Sequence, residues 1–252
     1  MSRNLSILPI ALLAGLIFCG LGSIAEILTW LARLVFHEIG HALIFWSRSI
    51  LAVPSFGLTV PLHSETSFLV FAALLGLFVW AARVSKTSGY VFLSLLCKVF
   101  LVLLICFTLL IPSRTGEMVM LFGGLGGELY LATIGLMLFY QPMPKRFEWD
   151  RNRYLILVIS TLSFCGALVH WYRIRNNHAQ LPMGGMLDLG ALSNPNSESS
   201  GDLDRLIREF GWTTDTIVSV YSSTVLLCVA ALILYYLYLW YQGSSGSGEE
   251  IA

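Results

Sequence analysis

Charge is scarce in this chain. Only 12% of its 252 residues are Asp, Glu, Lys or Arg, against roughly a quarter in soluble domains. So little polar surface excludes an ordinary soluble globular domain. The formal net charge is zero, so no basic field draws nucleic acid, and no nucleic-acid partner is expected. A disulfide framework is missing as well. The five cysteines, Cys19, Cys97, Cys106, Cys165 and Cys228, all lie inside apolar blocks without CxxC spacing and read as buried thiols. No internal repeat of the transporter kind is present.

What the chain has is apolar sequence: 56% of its residues are hydrophobic. They come in blocks of about 20, the length at which a helix crosses a bilayer. Inside lipid, each backbone polar group must be satisfied within its own segment, so these blocks are helices. The expectation is an all-α polytopic transmembrane helical bundle of six or seven spans, forming one integral membrane domain over 1–242. The spans fall near 6–22, 24–47, 67–84, 89–111, 117–140, 153–172 and 216–241. The first two share one long block, divided near Gly20–Ser23. Arg3 before an apolar run resembles a secretory signal peptide, but no small-x-small cleavage site follows, so a retained helix is expected.

Between the last two spans lies a long loop, 173–215, expected to be structured. Within it, Asp202 to Phe210 reads as a short amphipathic helix, with Asp202 near its N-cap and Gly211 at its end. The tail, 243–252, is flexible by composition. Lys145, Arg146, Arg151 and Arg153 in one loop, and Arg83 and Lys86 in another, place both loops on the cytoplasmic side by the positive-inside rule. The loop 48–66, the turn with Arg114 and the loop 173–215 then lie outside.

One motif carries chemistry: His37-Glu38-Ile39-Gly40-His41. Histidines at i and i+4 share a helix face about one turn apart, so both imidazoles can bind one tetrahedral Zn²⁺. Glu38, on the adjoining face, is placed to take a proton from the attacking water. The plainer alternative is two helix-face histidines in a polar packing seam. Three ionisable residues in mid-membrane are costly without a role, which favours the metal reading.

At this motif the chain resembles the site-2-protease-like family of intramembrane zinc metalloproteases, in its divergent bacterial branch. Phe36-His-Glu-Ile-Gly-His41 matches the family's HExxH element. Gly123-Gly-Leu-Gly-Gly-Glu-Leu-Tyr130 is similar to its glycine-rich second element, without the usual Asn or Gln. The third element, an aspartate ligand, is similar in two places. Leu187-Asp188-Leu189-Gly190 resembles a Leu-Asp-Gly setting, and Gly201-Asp202-Leu203 resembles an Asp-Trp setting ahead of a short helix. The resemblance implies Zn²⁺ as cofactor, hydrolysis of membrane-associated polypeptides, and a multi-pass place in a bacterial inner membrane.

Three carboxylates thus compete for the third ligand position. Asp188 also reads as a turn residue, and Asp202 as a helix cap. Glu128 would make a His-His-Glu site, support a ligand histidine, hydrogen-bond substrate, or form a buried ion pair with Lys98. Arg33, one turn before His37, either anchors such a network or snorkels to the interface. His170 and His178 read as interfacial polar residues. Two rivals to a protease stay open: an inactive relative that uses the site as a structural metal clip, and a transporter that handles protons or metal ions.

Overall fold

The structure is a computed structural model that describes residues 4–144, 147, 149–178, 181 and 201–245. Among these it is an all-α membrane bundle. The helices are α1 (Ile7–Phe18), α2 (Ser23–Ser47), α3 (Phe68–Thr87), α4 (Val91–Ile105, continued by a π turn to Leu110), α5 (Ser113–Leu138), α6 (Trp149–Asn176), α7 (Asp202–Phe210) and α8 (Thr214–Ser245). Six of them, α2 to α6 and α8, are long and apolar enough to cross a membrane.

Two expectations change. The first span, placed at 6–22, is a helix of 12 residues. At 1.5 Å per residue it reaches about 18 Å, well short of a hydrocarbon core of about 30 Å. Gly22, at φ 92°, turns the chain there into α2, a conformation that costs glycine little. The loop 48–66 also holds more than a loop. Ala52–Ser55 and Leu58–Pro61 pair antiparallel as a hairpin, β1 and β2, with Ser55 opposite Leu58. Its two-residue turn is Phe56-Gly57, and Gly57 supplies φ 87°. Trp46 Nε1 donates to the Ala52 carbonyl at 2.9 Å and ties the hairpin to the end of α2. All five cysteines are free thiols.

Helix α5 is the centre of the bundle. Leu121, Leu125, Leu129 and Leu136 are buried along it and pack with Phe164 and Trp171 of α6 and Leu203 and Leu206 of α7. Trp171 stacks on Tyr221 of α8, ring centroids 4.3 Å apart. The side facing α2 is made of glycine. A Cβ at Gly40 would collide with the Gly123 carbonyl and crowd Gly127. Small residues in mid-membrane thus let the two backbones touch, as close helix packing in lipid requires.

Contacts sort the connections into two ends. Tyr235 of α8 donates to the Met137 carbonyl at 2.9 Å and lies 6.4 Å from the Phe92 ring. The α3–α4 and α5–α6 connections therefore share one end. At the other, Ser49 meets Thr108 at 2.8 Å, and Arg114 donates to the Glu209 carbonyl at 3.2 Å.

Candidate metal centre

Helix α2 presents His37 and His41 toward α5, and both are buried. Their Nε2 atoms lie 3.1 Å apart. The third member comes from α7. Gly201 is the N-cap and Asp202 the first residue of that helix, so Asp202 does not serve as the cap itself. At the other end Gly211 adopts a left-handed φ of 69°, with the Gly211 and Trp212 amides closing on Ile207 and Leu206. Buried Leu203 and Leu206 anchor α7 against the bundle and aim Asp202 inward. Its Oδ2 lies 3.2 Å from His37 Nε2 and 3.0 Å from His41 Nε2.

Three potential ligand atoms therefore form a triangle with edges of 3.0 to 3.2 Å. Bonds of about 2.0–2.1 Å to a tetrahedral zinc ion set ligand atoms about 3.3 Å apart, so the triangle needs only a few tenths of an ångström to fit. The outer nitrogens sharpen the point. His41 Nδ1 lies 2.8 Å from the Met120 carbonyl, which can only accept, so that nitrogen carries a hydrogen. His37 Nδ1 lies 3.1 Å from Glu128 Oε1, whose other oxygen is held by Arg33. Neutral rings with Nδ1–H leave both Nε2 lone pairs, together with a carboxylate oxygen, converging on one point. One proton satisfies part of that arrangement; a divalent cation satisfies all three atoms. Gly124 makes room for it, because a Cβ there would sit against the Nε2 of both histidines.

The other candidates go elsewhere. Glu128 is fully buried on α5 and is not the third member of the triangle. It binds Arg33, Nε to Oε2 at 2.5 Å, so Arg33 anchors a network inside the bundle. The expected partner Lys98 is exposed on α4, because it lies on the outward face of the helix while Cys97 and Phe100 beside it are buried. Asp188 lies outside the described residues. Glu38 is buried on the adjoining face of α2 and is not part of the metal-competent group.

Thr59, on β2, is a residue that sequence reading missed. Its hydroxyl lies 2.7 Å from Glu38 Oε2 and 2.9 Å from the Glu38 carbonyl, donating to both as acceptors. Glu38 also lines a pocket of about 300 Å³ between α2 and the hairpin, with Leu34, Val35, Ile39, Pro54, Ser55 and Phe56. No protein-family model matches the chain, and no curated protein or solved structure matches it either.

Proposed function

We propose that the protein is a membrane-embedded zinc metallopeptidase that hydrolyses membrane-associated polypeptides, as its resemblance to the site-2-protease-like family implies. The observation that carries this reading is the convergence of His37 Nε2, His41 Nε2 and Asp202 Oδ2 beside a glycine that leaves space for an ion. These three residues would hold Zn²⁺ and leave a fourth position open, as catalytic zinc sites do. When bound, zinc supplies Lewis-acid chemistry: it polarises a carbonyl and makes water acidic enough to react near neutral pH.

The chain's own groups account for the rest. Glu38 takes the proton from the attacking water as the water oxygen adds to the scissile carbonyl carbon. It then gives that proton to the amide nitrogen as the carbon–nitrogen bond breaks. Thr59 holds the Glu38 carboxylate in one orientation. The pocket between α2 and the hairpin is apolar except for Glu38 and Ser55, which suits an extended apolar stretch of substrate. A transmembrane substrate must unwind locally first, because a helical carbonyl is already hydrogen-bonded.

Glu38→Gln tests the assignment. It keeps size and both imidazoles but removes the base, and general-base help is worth about 10²–10⁴ in rate. Fragments of membrane proteins present with the intact chain should vanish with the variant, while metal content stays. Identical fragment patterns with metal retained in both would remove the protease reading and leave a structural metal clip.

A further inference from the structure

Glu128 is a second acidic group at this site, and the triangle does not use it. It sits in mid-bundle with no exposure, where an isolated carboxylate is costly. Both its oxygens are committed. Oε2 takes Arg33 Nε of α2, and Oε1 faces His37 Nδ1 at 3.1 Å. Its backbone is fixed too, because Ser163 Oγ of α6 donates to the Glu128 carbonyl at 3.0 Å. The far side of Arg33 borders a polar hollow of about 290 Å³, lined also by Thr29, Glu26, His170 and Arg173. Arg33 therefore bridges a hydrophilic recess and the back of the histidine pair. His41 has a different support, the neutral Met120 carbonyl.

We propose that Glu128 is a positioning residue for the metal centre, oriented by Arg33. It holds the Nδ1–H of His37, which fixes the ring's tautomer and rotation and turns the Nε2 lone pair toward Asp202 and His41. A carboxylate behind an imidazole also makes the ring a better donor than a carbonyl does, so His37 is the stronger of the two histidine ligands. Arg33 offsets the carboxylate's charge and fixes its two oxygens. The proposal rests on His37, His41 and Asp202 forming a metal centre, and its test separates the two ideas.

The test compares zinc affinities of the full-length protein in detergent, by competition with a chelating indicator. Arg33→Leu with Glu128→Met removes both charges together and leaves no orphan ion. Arg33→Leu with Glu128→Gln has nearly the same shape but keeps an oxygen that can accept from His37 Nδ1. The Met variant should stay folded and bind zinc about 10–100-fold more weakly, the usual cost of losing such support. The Gln variant should recover most of that loss, and the cobalt-substituted proteins should show an altered ligand-field spectrum only in the Met variant. A folded Met variant that binds zinc like the wild type would overturn the proposal, as would a Gln variant no better than the Met variant. Failure of both to fold would assign the pair to the fold and overturn it as well. If the wild-type protein itself binds no zinc, the metal centre reading fails first.

Discussion

The seam between α2 and α5 and the hairpin of α3 and α4 are built from the same kind of apolar helix and put to opposite uses. In the most apolar stretch of α5, 72% of residues are buried, and in α2, 56%; the corresponding shares in α3 and α4 are 17% and 22%. The buried pair is the less hydropathic, because contact with protein replaces contact with lipid. Glycine, histidine and carboxylate fill the seam, while leucine, valine and phenylalanine cover the outer hairpin. Burial in this bundle therefore follows small and polar residues, and the most hydrophobic helices lie outside.

Substitutions that treat the two regions alike should break down first at glycine. Gly40→Ala puts a methyl group against the Gly123 backbone, which cannot swing aside. Overpacking typically costs about 1–3 kcal/mol and more where only backbone can yield, so a large drop in thermal stability is expected. Gly76→Ala on α3 meets nothing within 4 Å and should leave the melting temperature almost unchanged. Equal effects at the two glycines would contradict the close seam.

Gly124→Ala sharpens the comparison, because it lies in the seam but changes no ligand. Its methyl group would occupy the space between the two Nε2 atoms. Zinc binding should fall by more than tenfold while helicity persists. Retained affinity, measured by chelator competition, would show that the ion sits elsewhere.

Thr59→Val removes the hydroxyl that holds Glu38. A single hydrogen bond is worth about 0.5–1.5 kcal/mol, so cleavage should slow by about 2- to 10-fold with zinc content unchanged. A loss as large as that of Glu38→Gln would mean that Thr59 does more than orient the base. The smallest effect belongs to the outer hairpin. Lys98 is exposed on α4, so Lys98→Leu should leave zinc content intact and stability unchanged or slightly higher, which a thermal melt in detergent can read.

How much of this was legible in the sequence follows from distance along the chain. The helices show in their apolar blocks, because lipid allows them no other backbone structure. The histidine pair shows because its geometry lies within five residues. Asp202 could not be separated from Asp188 or Glu128, since only the path of the chain between α6 and α8 decides which carboxylate returns to α2. The sequence offers Lys98 as the ion-pair partner of Glu128 and leaves Arg33 between an anchor and the interface, because hydropathy gives the depth of a side chain but not the face of the helix it occupies. The hairpin was hidden for another reason. Val53, Thr59 and Val60 are strand formers, yet four-residue strands that themselves contain Pro54 and Pro61 read as loop. With the hairpin went Thr59, whose only signal was a hydroxyl in that short alternating stretch.

The central claim is that α7 delivers Asp202 to two histidines of α2 to complete a metal centre. Its most direct test is the zinc content of the purified full-length protein at controlled free zinc, compared with Asp202→Ala. The account predicts about one ion per chain in the wild type, from the three-ligand geometry, and loss of tight binding in the variant with the fold intact. A wild type without zinc, or a variant that holds zinc as tightly as the wild type, would contradict it.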